Sequence, residues 1–246
     1  VFTFSIDLAT NSSSATFDHV MITGAAVFQS GVTPDPEDPE EPSDPYLEWV
    51  STTNAQSEIY NLTELGNMDW AYWNEPANPA SGAAANDKSG GSAIGTITGF
   101  DNSGGSTTVR GISGTPSNFT FTDGTSTASG TASGLYGIGN TTLDAAGYGV
   151  ELGITLADSN KTYTISIWTA AAAAQRACIV ASLGAFTHDL GVVGGPGVGG
   201  TYGDASNPKE GYLYTFTATP ENDNDVFTFR IDLDNNSYGT TYDHVM

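Results

Sequence analysis

Apolar and polar positions alternate along several short stretches of the chain, which is the period of a half-buried β-strand. In one stretch, Tyr163, Ile165 and Ile167 share a face, and Thr and Ser occupy the other. Clusters of Gly, Asn, Asp and Ser separate these stretches and are typical of turns. The pattern predicts an all-β fold of antiparallel strands in two sheets or a closed barrel. The predicted strands are residues 118–122, 148–156, 161–168, 211–219 and 226–233.

The chain carries one 21-residue element twice. Residues 1–21 (VFTFSIDLATNSSSATFDHVM) and 226–246 (VFTFRIDLDNNSYGTTYDHVM) are identical at 14 of 21 positions, at an offset of 225 residues. The copies also differ, for example at Ser5 and Arg230, so they are not a duplicated tag. We interpret the chain as slightly more than one period of a tandem array, in which the counterpart of residues 22–28 is expected to follow the second copy. Arrays of this kind are used more often for building or multivalent adhesion than for catalysis.

A proline-rich acidic segment follows the first copy of the element. Residues 31–45 (GVTPDPEDPEEPSDP) contain five prolines and six acidic residues. Proline favours the extended polyproline II conformation and like charges repel, so a semi-rigid spacer is predicted. It divides the chain into two parts. Residues 1–30 are interpreted as the terminal strand element of the preceding repeat or as a donated strand, and residues 46–246 as a β-sandwich domain.

The start of the repeated element is a strongly alternating strand whose apolar side chains need cover. Burying four such side chains is worth about 6–12 kcal/mol before conformational entropy is counted. Left uncovered, the strand would promote aggregation, whereas an open sheet edge can accept it by main-chain pairing. We therefore expect it to dock on a sandwich, either that of its own preceding copy or a neighbour's. The predicted inter-module strand residues are Phe2, Phe4, Ile6, Leu8, Phe227, Phe229, Ile231 and Leu233.

The charge balance is strongly acidic, with 28 Asp and Glu against six Lys and Arg and a net charge of −22. This argues against nucleic acid as a partner, because that binding depends on cationic contacts to phosphate. No apolar run is long enough for membrane insertion. Together with the repeat and the spacer, the acidity favours an extracellular location, secreted or at the cell surface. Possible N-glycosylation sequons begin at Asn11, Asn61, Asn118, Asn140, Asn160 and Asn235.

Several motifs occur in a fixed order along residues 46–246. They are residues 60–73 (YNLTELGNMDWAYW), 91–94 (GSAI), 120–125 (TFTDGT), 161–168 (KTYTISIW), 212–219 (YLYTFTAT) and the closing DHVM. This order resembles bacterial extracellular β-sandwich modules, similar to the galactose-binding-like jelly rolls appended to secreted surface proteins and glycoside hydrolases. The resemblance implies an antiparallel two-sheet β-sandwich of jelly-roll type with about eight strands, and often a structural Ca²⁺ ion.

Calcium is a possible cofactor because it takes six to eight oxygen ligands from carboxylates and carbonyls. A solvated acidic turn is the competing interpretation, since Asp and Asn also form turns. Catalysis is not predicted: the sequence lacks the G-x-S-x-G, H-E-x-x-H and phosphate-loop motifs, and its histidines are interpreted as structural. The candidate metal ligands are Asp223, Asp225, Asp232 and Asp234.

An aromatic cluster offers an alternative function. Sugar sites combine aromatic faces with polar groups that bind hydroxyls. The candidates are Trp70, Tyr72, Trp73 and Asn74, although the same rings could instead close one end of the sandwich core. The leading hypothesis is a structural repeat module that pairs with neighbouring copies. The alternative is a tandem carbohydrate-binding or adhesion module that binds polysaccharide through avidity.

Overall fold

A computed structural model describes most of residues 19–232 in segments. These are residues 19–29, 44–55, 58–73, 82, 84, 86–101, 107–111, 120–123, 127–131, 135–139, 148–172, 177–193 and 210–232. The described residues are almost entirely strand, so the all-β prediction is confirmed. Within these segments, no helix has the length and apolar character needed to cross a membrane.

The strands follow one another along the whole described chain, with one four-residue helix. The first half contains β1 (His19–Gln29), β2 (Tyr46–Asn54), β3 (Ile59–Asn61), α1 (Leu62–Leu65), β4 (Asp69–Tyr72), β5 (Asn86–Asp87), β6 (Ile94–Asp101), β7 (Thr107–Gly111) and β8 (Thr120–Thr122). The second half contains β9 (Thr127–Thr131), β10 (Leu135–Gly139), β11 (Tyr148–Leu156), β12 (Tyr163–Ala172), β13 (Ala177–Leu183), β14 (Phe186–Val193), β15 (Glu210–Thr219) and β16 (Asp225–Asp232).

The strands form three sheets. The largest has the order β2-β15-β12-β1-β10-β7, and β4 and β5 extend it beside β1. The second has the order β14-β13-β16-β11-β6, and the third has the order β3-β8-β9. Pairing in the two larger sheets is antiparallel, while β3 and β8 are parallel.

The main core lies between the eight-stranded and five-stranded sheets. Alternate side chains of β12 point into it, as the sequence pattern predicts, and alternate side chains of β16 meet them from the other sheet. The rings of Phe216 and Phe227 lie 5.3 Å apart and those of Tyr214 and Phe229 lie 5.5 Å apart. Such aromatic pairs add about 0.5–1.5 kcal/mol to the free energy gained by area burial alone.

A second, smaller core covers the outer face of the eight-stranded sheet. Ile165 and Ile167 of β12 face the main core. The next residue, Trp168, faces the outer side and is fully buried. The rings of Tyr60 and Phe121 each lie 5.2 Å from the Trp168 ring. The three-stranded sheet and α1 thus add a third layer that the two-sheet prediction did not include. The buried members of this outer core are Ala26, Ala55, Leu62, Trp70, Tyr72, Phe121 and Trp168.

His188 joins the two large sheets where each ends. Its Nε2 atom lies 2.8 Å from the main-chain oxygen of Leu47, which belongs to the end strand β2. Main-chain groups at the edge of a sheet invite pairing with other chains unless something covers them. This contact between β14 and β2 covers part of that edge and gives His188 a structural role.

Candidate strand-docking site

β1 occupies an interior position of the eight-stranded sheet although it precedes the predicted spacer in sequence. On one side it pairs with β12, from His19 opposite Ala172 to Gln29 opposite Tyr163. On the other side it pairs with β10 at Ile22 and with all of β4. We call this position, bounded by β12, β10 and β4, the β1 slot.

The amide side chain of Asn67 closes one end of the β1 slot. The main-chain N–H of Gln29 donates to Asn67 Oδ1 at 3.0 Å, and Asn67 Nδ2 donates to the Gln29 oxygen at 3.2 Å. The N–H of Met68 donates to the oxygen of Val27 at 3.3 Å. Asn67 therefore satisfies the donor and the acceptor that a neighbouring strand would otherwise satisfy at Gln29.

Side chains on both faces of β1 are buried. Ala25 and Val27 point into the main core, and Ala26 points into the outer core with Trp70 and Trp168. Phe28, the next residue, is 37% exposed. A strand that fills this slot must therefore carry small or aliphatic side chains on both faces. The sequence of β1 (HVMITGAAVFQ) meets this requirement at Ala25, Ala26 and Val27.

Asp69 anchors β4, which forms one wall of the slot. Its side chain is almost fully buried, at 3% exposure. Oδ1 accepts from the N–H of Trp70 at 2.8 Å, and Oδ2 accepts from the N–H groups of Ala93 at 2.8 Å and Ile94 at 2.9 Å. A side chain at Gly91 would overlap Asp69 Oδ1, so this close approach requires glycine. The carboxylate therefore ties β4 to the start of β6.

Sequence reasoning did not identify Asp69 as an anchor. The available signal was an acidic residue at the start of an aromatic stretch, because a buried carboxylate must find donors.

Lys88 also stabilises the turn that precedes β4. Its Nζ donates to the main-chain oxygens of Gly66 at 3.2 Å and Asn67 at 2.5 Å. The turn that precedes β4 is therefore held at both its main chain and its side chains.

The candidate glycan-binding rings are buried in the two cores. Trp70 is 8% exposed, Tyr72 is 6% exposed and Trp73 is fully buried, with its Nε1 donating to the Gly82 oxygen at 3.0 Å. Burial raises the pKa of the Tyr72 hydroxyl. Stacking on a sugar needs an exposed ring face, which these side chains do not offer. Their placement fits the interpretation that they close the core, and Asn74 lies outside the described residues.

Two of the candidate metal ligands bind the main chain of the turns beside them. Asp223 Oδ1 accepts from the N–H of Ser159 at 2.8 Å and from its hydroxyl at 2.9 Å, which holds the pKa of Asp223 below its ordinary value. Asp225 Oδ2 accepts from the N–H of Asn222 at 2.9 Å. These contacts are typical of acidic residues that order a turn.

The other two candidate metal ligands are Asp232 and Asp234. Asp225 and Asp232 stand at opposite ends of β16, about 23 Å apart by strand rise, so they cannot share an ion. Asp234 lies outside the described residues. Across the described segments, no three His, Cys, Asp or Glu side chains form a group suited to a metal ion. Among the described candidates, Asp232 therefore lies too far along β16 to share an ion with Asp225.

Two of the six sequons fall in described segments. Asn61 is partly buried and caps α1, with its Oδ1 accepting from the N–H of Thr63 at 3.2 Å. Asn160 is exposed in a turn, and its Nδ2 donates to Asp158 Oδ1 at 3.2 Å. Asn160 is therefore the more accessible of these two. The other sequons, at Asn11, Asn118, Asn140 and Asn235, lie outside the described residues.

Some of the predicted inter-module residues lie in the described strands, and the others lie outside the described residues. Phe227, Phe229 and Ile231 lie in β16 and are fully buried in the main core. Their strand is paired on both sides, with β13 and β11. Phe2, Phe4, Ile6, Leu8 and Leu233 lie outside the described residues.

Comparison with protein-family models, with curated proteins and with solved structures finds no match for this chain. The class that the structure defines is an all-β protein whose two larger, antiparallel sheets enclose the main core. The resemblance to galactose-binding-like jelly rolls stays a prediction carried by the motifs of residues 46–246.

Proposed function

We propose that this chain is a structural repeat module of a secreted, multi-repeat surface or filament protein. Its partners are neighbouring copies of the same module, and successive modules connect by strand pairing or docking. The module is a β-sandwich of jelly-roll type that serves as one unit of a tandem array. Its role is mechanical rather than catalytic.

The interior position of β1 carries this proposal. The strand begins with the last three residues of the repeated element, residues 19–21, and precedes the acidic spacer, yet it completes the sheet formed by strands that follow the spacer. Its removal would leave without partners the main-chain groups of β12 and β4 that face it, and would expose the apolar side chains around Val27. A segment that is indispensable to a sheet on the far side of a spacer is suited to joining modules.

The path of the chain supports the jelly-roll type. From β11 to β16 the chain passes repeatedly between the two large sheets: β12 and β15 lie in the larger one, and β11, β13, β14 and β16 lie in the smaller one. Jelly rolls are built from such connections between two facing sheets. The net charge of −22 and the spacer support an extracellular setting, where salt screens self-repulsion.

A cut in the spacer tests the proposal. A protease recognition sequence is placed within residues 31–43 of the full chain, and the folded protein is then cleaved. Because β1 is held by main-chain pairing on both sides, we expect the N-terminal fragment to co-elute with the remainder in size-exclusion chromatography. The two fragments should separate only in denaturant.

The same cleavable chain with Asn67→Ala serves as the comparison variant, in which the strand is held less tightly. This change removes two hydrogen bonds to Gln29 and leaves the rest of the slot intact, so the bound fragment should dissociate about tenfold faster. Immediate separation of the fragments of the parent chain, with the large fragment keeping its cooperative unfolding, would refute the proposal.

A further inference from the structure

Trp49 in β2 is exposed, unlike the other three tryptophans of the chain. Trp70, Trp73 and Trp168 are almost fully buried. The side chain of Trp49 is 43% exposed, and that of the next residue, Val50, is 52% exposed. β2 is the terminal strand of the eight-stranded sheet, so one of its sides has no neighbouring strand in that sheet. Trp is enriched at binding hot spots, so an exposed Trp on a terminal strand is a candidate contact site.

A β-bulge sets the direction of the Trp49 ring. The residues of β2 and β15 pair one to one, except that Val50 is an extra residue between Trp49 and Ser51. Trp49 and Thr52 are three residues apart, and without the bulge they would lie on opposite faces of the strand. With the bulge they share a face, and Trp49 Nε1 donates to Thr52 Oγ1 at 3.2 Å. This hydrogen bond holds the exposed ring in one orientation, which lowers the entropy that a ligand has to remove.

The same bulge argues against a strand as the partner of this edge. Bulges interrupt the ladder and increase the local twist, and proteins use them to prevent edge-to-edge pairing. The main-chain oxygen of Leu47 is also bound by His188. The exposed side chains of Trp49 and Val50 provide far less area than the about 800 Å² per partner that a stable protein interface buries. The ring is therefore better suited to one side chain of a partner than to a second copy of the module.

The charge around β2 indicates the chemistry of that partner. The first Lys or Arg of the chain is Lys88, whereas residues 1–87 contain 14 Asp and Glu. Glu48 directly precedes Trp49 and is exposed, as is Asp44 just before the strand. A region of one sign attracts groups of the opposite sign. The face of a Trp ring attracts the same groups, because the ring quadrupole is negative there.

We propose that the edge of β2 is a docking site for a basic segment of another protein, in which a Lys or Arg side chain stacks on the Trp49 ring. The carboxylates of Glu48 and Asp44 raise the local concentration of such a segment, and the fixed ring binds its cation at close range. The site adds recognition of a basic partner to the mechanical role proposed above. It does not depend on that role, because it uses neither β1 nor the β1 slot.

Fluorescence anisotropy of a fluorescein-labelled hexa-arginine peptide measures this docking on the full chain. We expect the peptide to bind at physiological ionic strength and Trp49→Ala to weaken binding about fivefold, as the loss of one cation–π contact implies. Ile59→Ala is the matched control, because Ile59 is an even more exposed apolar side chain, at 68%, and lies in β3. It should leave the affinity unchanged.

Two further variants separate the ring from the charge. Thr52→Val removes the acceptor of the ring hydrogen bond at nearly constant shape, so it should weaken peptide binding about twofold with an unchanged thermal midpoint. Glu48→Gln should reduce the salt dependence of binding, because it removes a screened charge. Trp49→Ala should leave the salt dependence unchanged, because the ring carries no charge.

Three results would overturn the proposal. If the parent and Trp49→Ala bind hexa-arginine equally, charge alone attracts the peptide. If the peptide does not bind at physiological ionic strength, while hydroxyethylcellulose changes the fluorescence of the parent and not of Trp49→Ala, the ring binds a neutral polysaccharide instead. If Trp49→Ala abolishes self-association in sedimentation, the ring is a contact between copies. None of these results affects the test by spacer cleavage, which depends on β1 and Asn67.

Discussion

Replacing Val27 by aspartate is expected to destabilise the protein by about 4–5 kcal/mol, because it places a carboxylate among apolar side chains in the main core. Val27 is fully buried, and its cluster includes Ile165 and Ile167 of β12. The loss is comparable with the whole folding free energy of many domains, about 5–15 kcal/mol. Chemical denaturation followed by circular dichroism and tryptophan fluorescence measures it.

Phe28→Asp in the same strand is the control. Phe28 is adjacent to Val27 but partly exposed, so we expect a loss of about 1 kcal/mol or less. The contrast depends on the register of β1, since a shift of one residue would exchange the two faces of the strand. Equal and small effects of Val27→Asp and Phe28→Asp would show that β1 is not docked.

Asp69→Ala is expected to destabilise the protein by about 3–5 kcal/mol. The carboxylate accepts hydrogen bonds from the main-chain N–H groups of Trp70, Ala93 and Ile94. Hydrogen bonds to a charged acceptor contribute about 1.5–3 kcal/mol each, and buried donors left without an acceptor are costly. Because Asp69 holds the wall of the slot, the substitution should also weaken the retention of β1 in the cut chain.

Two substitutions calibrate this effect. Asp69→Asn keeps one oxygen acceptor and nearly the same shape, so its effect should lie between that of alanine and that of the parent. Asp87→Ala removes an exposed carboxylate from the neighbouring strand β5 and should change the free energy of unfolding by no more than about 0.5 kcal/mol. If Asp69→Ala and Asp87→Ala have equal effects, Asp69 is not an anchor.

The regular strands could be predicted from the sequence because alternation reports directly on which face is buried. β12, β15 and β16 lie within or around the predicted ranges, and Tyr163, Ile165 and Ile167 face the main core. Each of these strands carries a continuous apolar face of aromatic or branched side chains. The pattern identifies a strand from the local sequence alone, even when its neighbours in the sheet are unknown.

The position of β1 could not be predicted in this way. Ala25, Ala26 and Val27 are all buried because both faces of the strand are covered, so this part of the sequence shows no alternation. The repeat covers only residues 19–21 of this strand, and the spacer suggested that residues 1–30 belong to a separate unit. Pairing partners are a property of the folded sheet, and local sequence does not specify them.

The aromatic stretch of residues 70–73 shows a second limit of prediction from sequence alone. Trp70 and Tyr72 serve the outer core while Trp73 serves the main core. The sequence predicts an aromatic cluster there, but the outer core that covers Trp70 includes Phe121 of β8, which lies far along the chain. Without that layer, rings on the outer face of a sheet are indistinguishable from an exposed sugar-binding platform.

Amide hydrogen exchange in the intact chain tests most directly whether β1 is an integral strand. The account predicts that the amides of Ala25 to Phe28 exchange as slowly as those of Ile165 to Trp168, and that both groups lose protection in the same unfolding event. If the amides of β1 exchange at the rates of an unstructured chain while those of β12 remain protected, the strand is not part of the sheet and the account is contradicted.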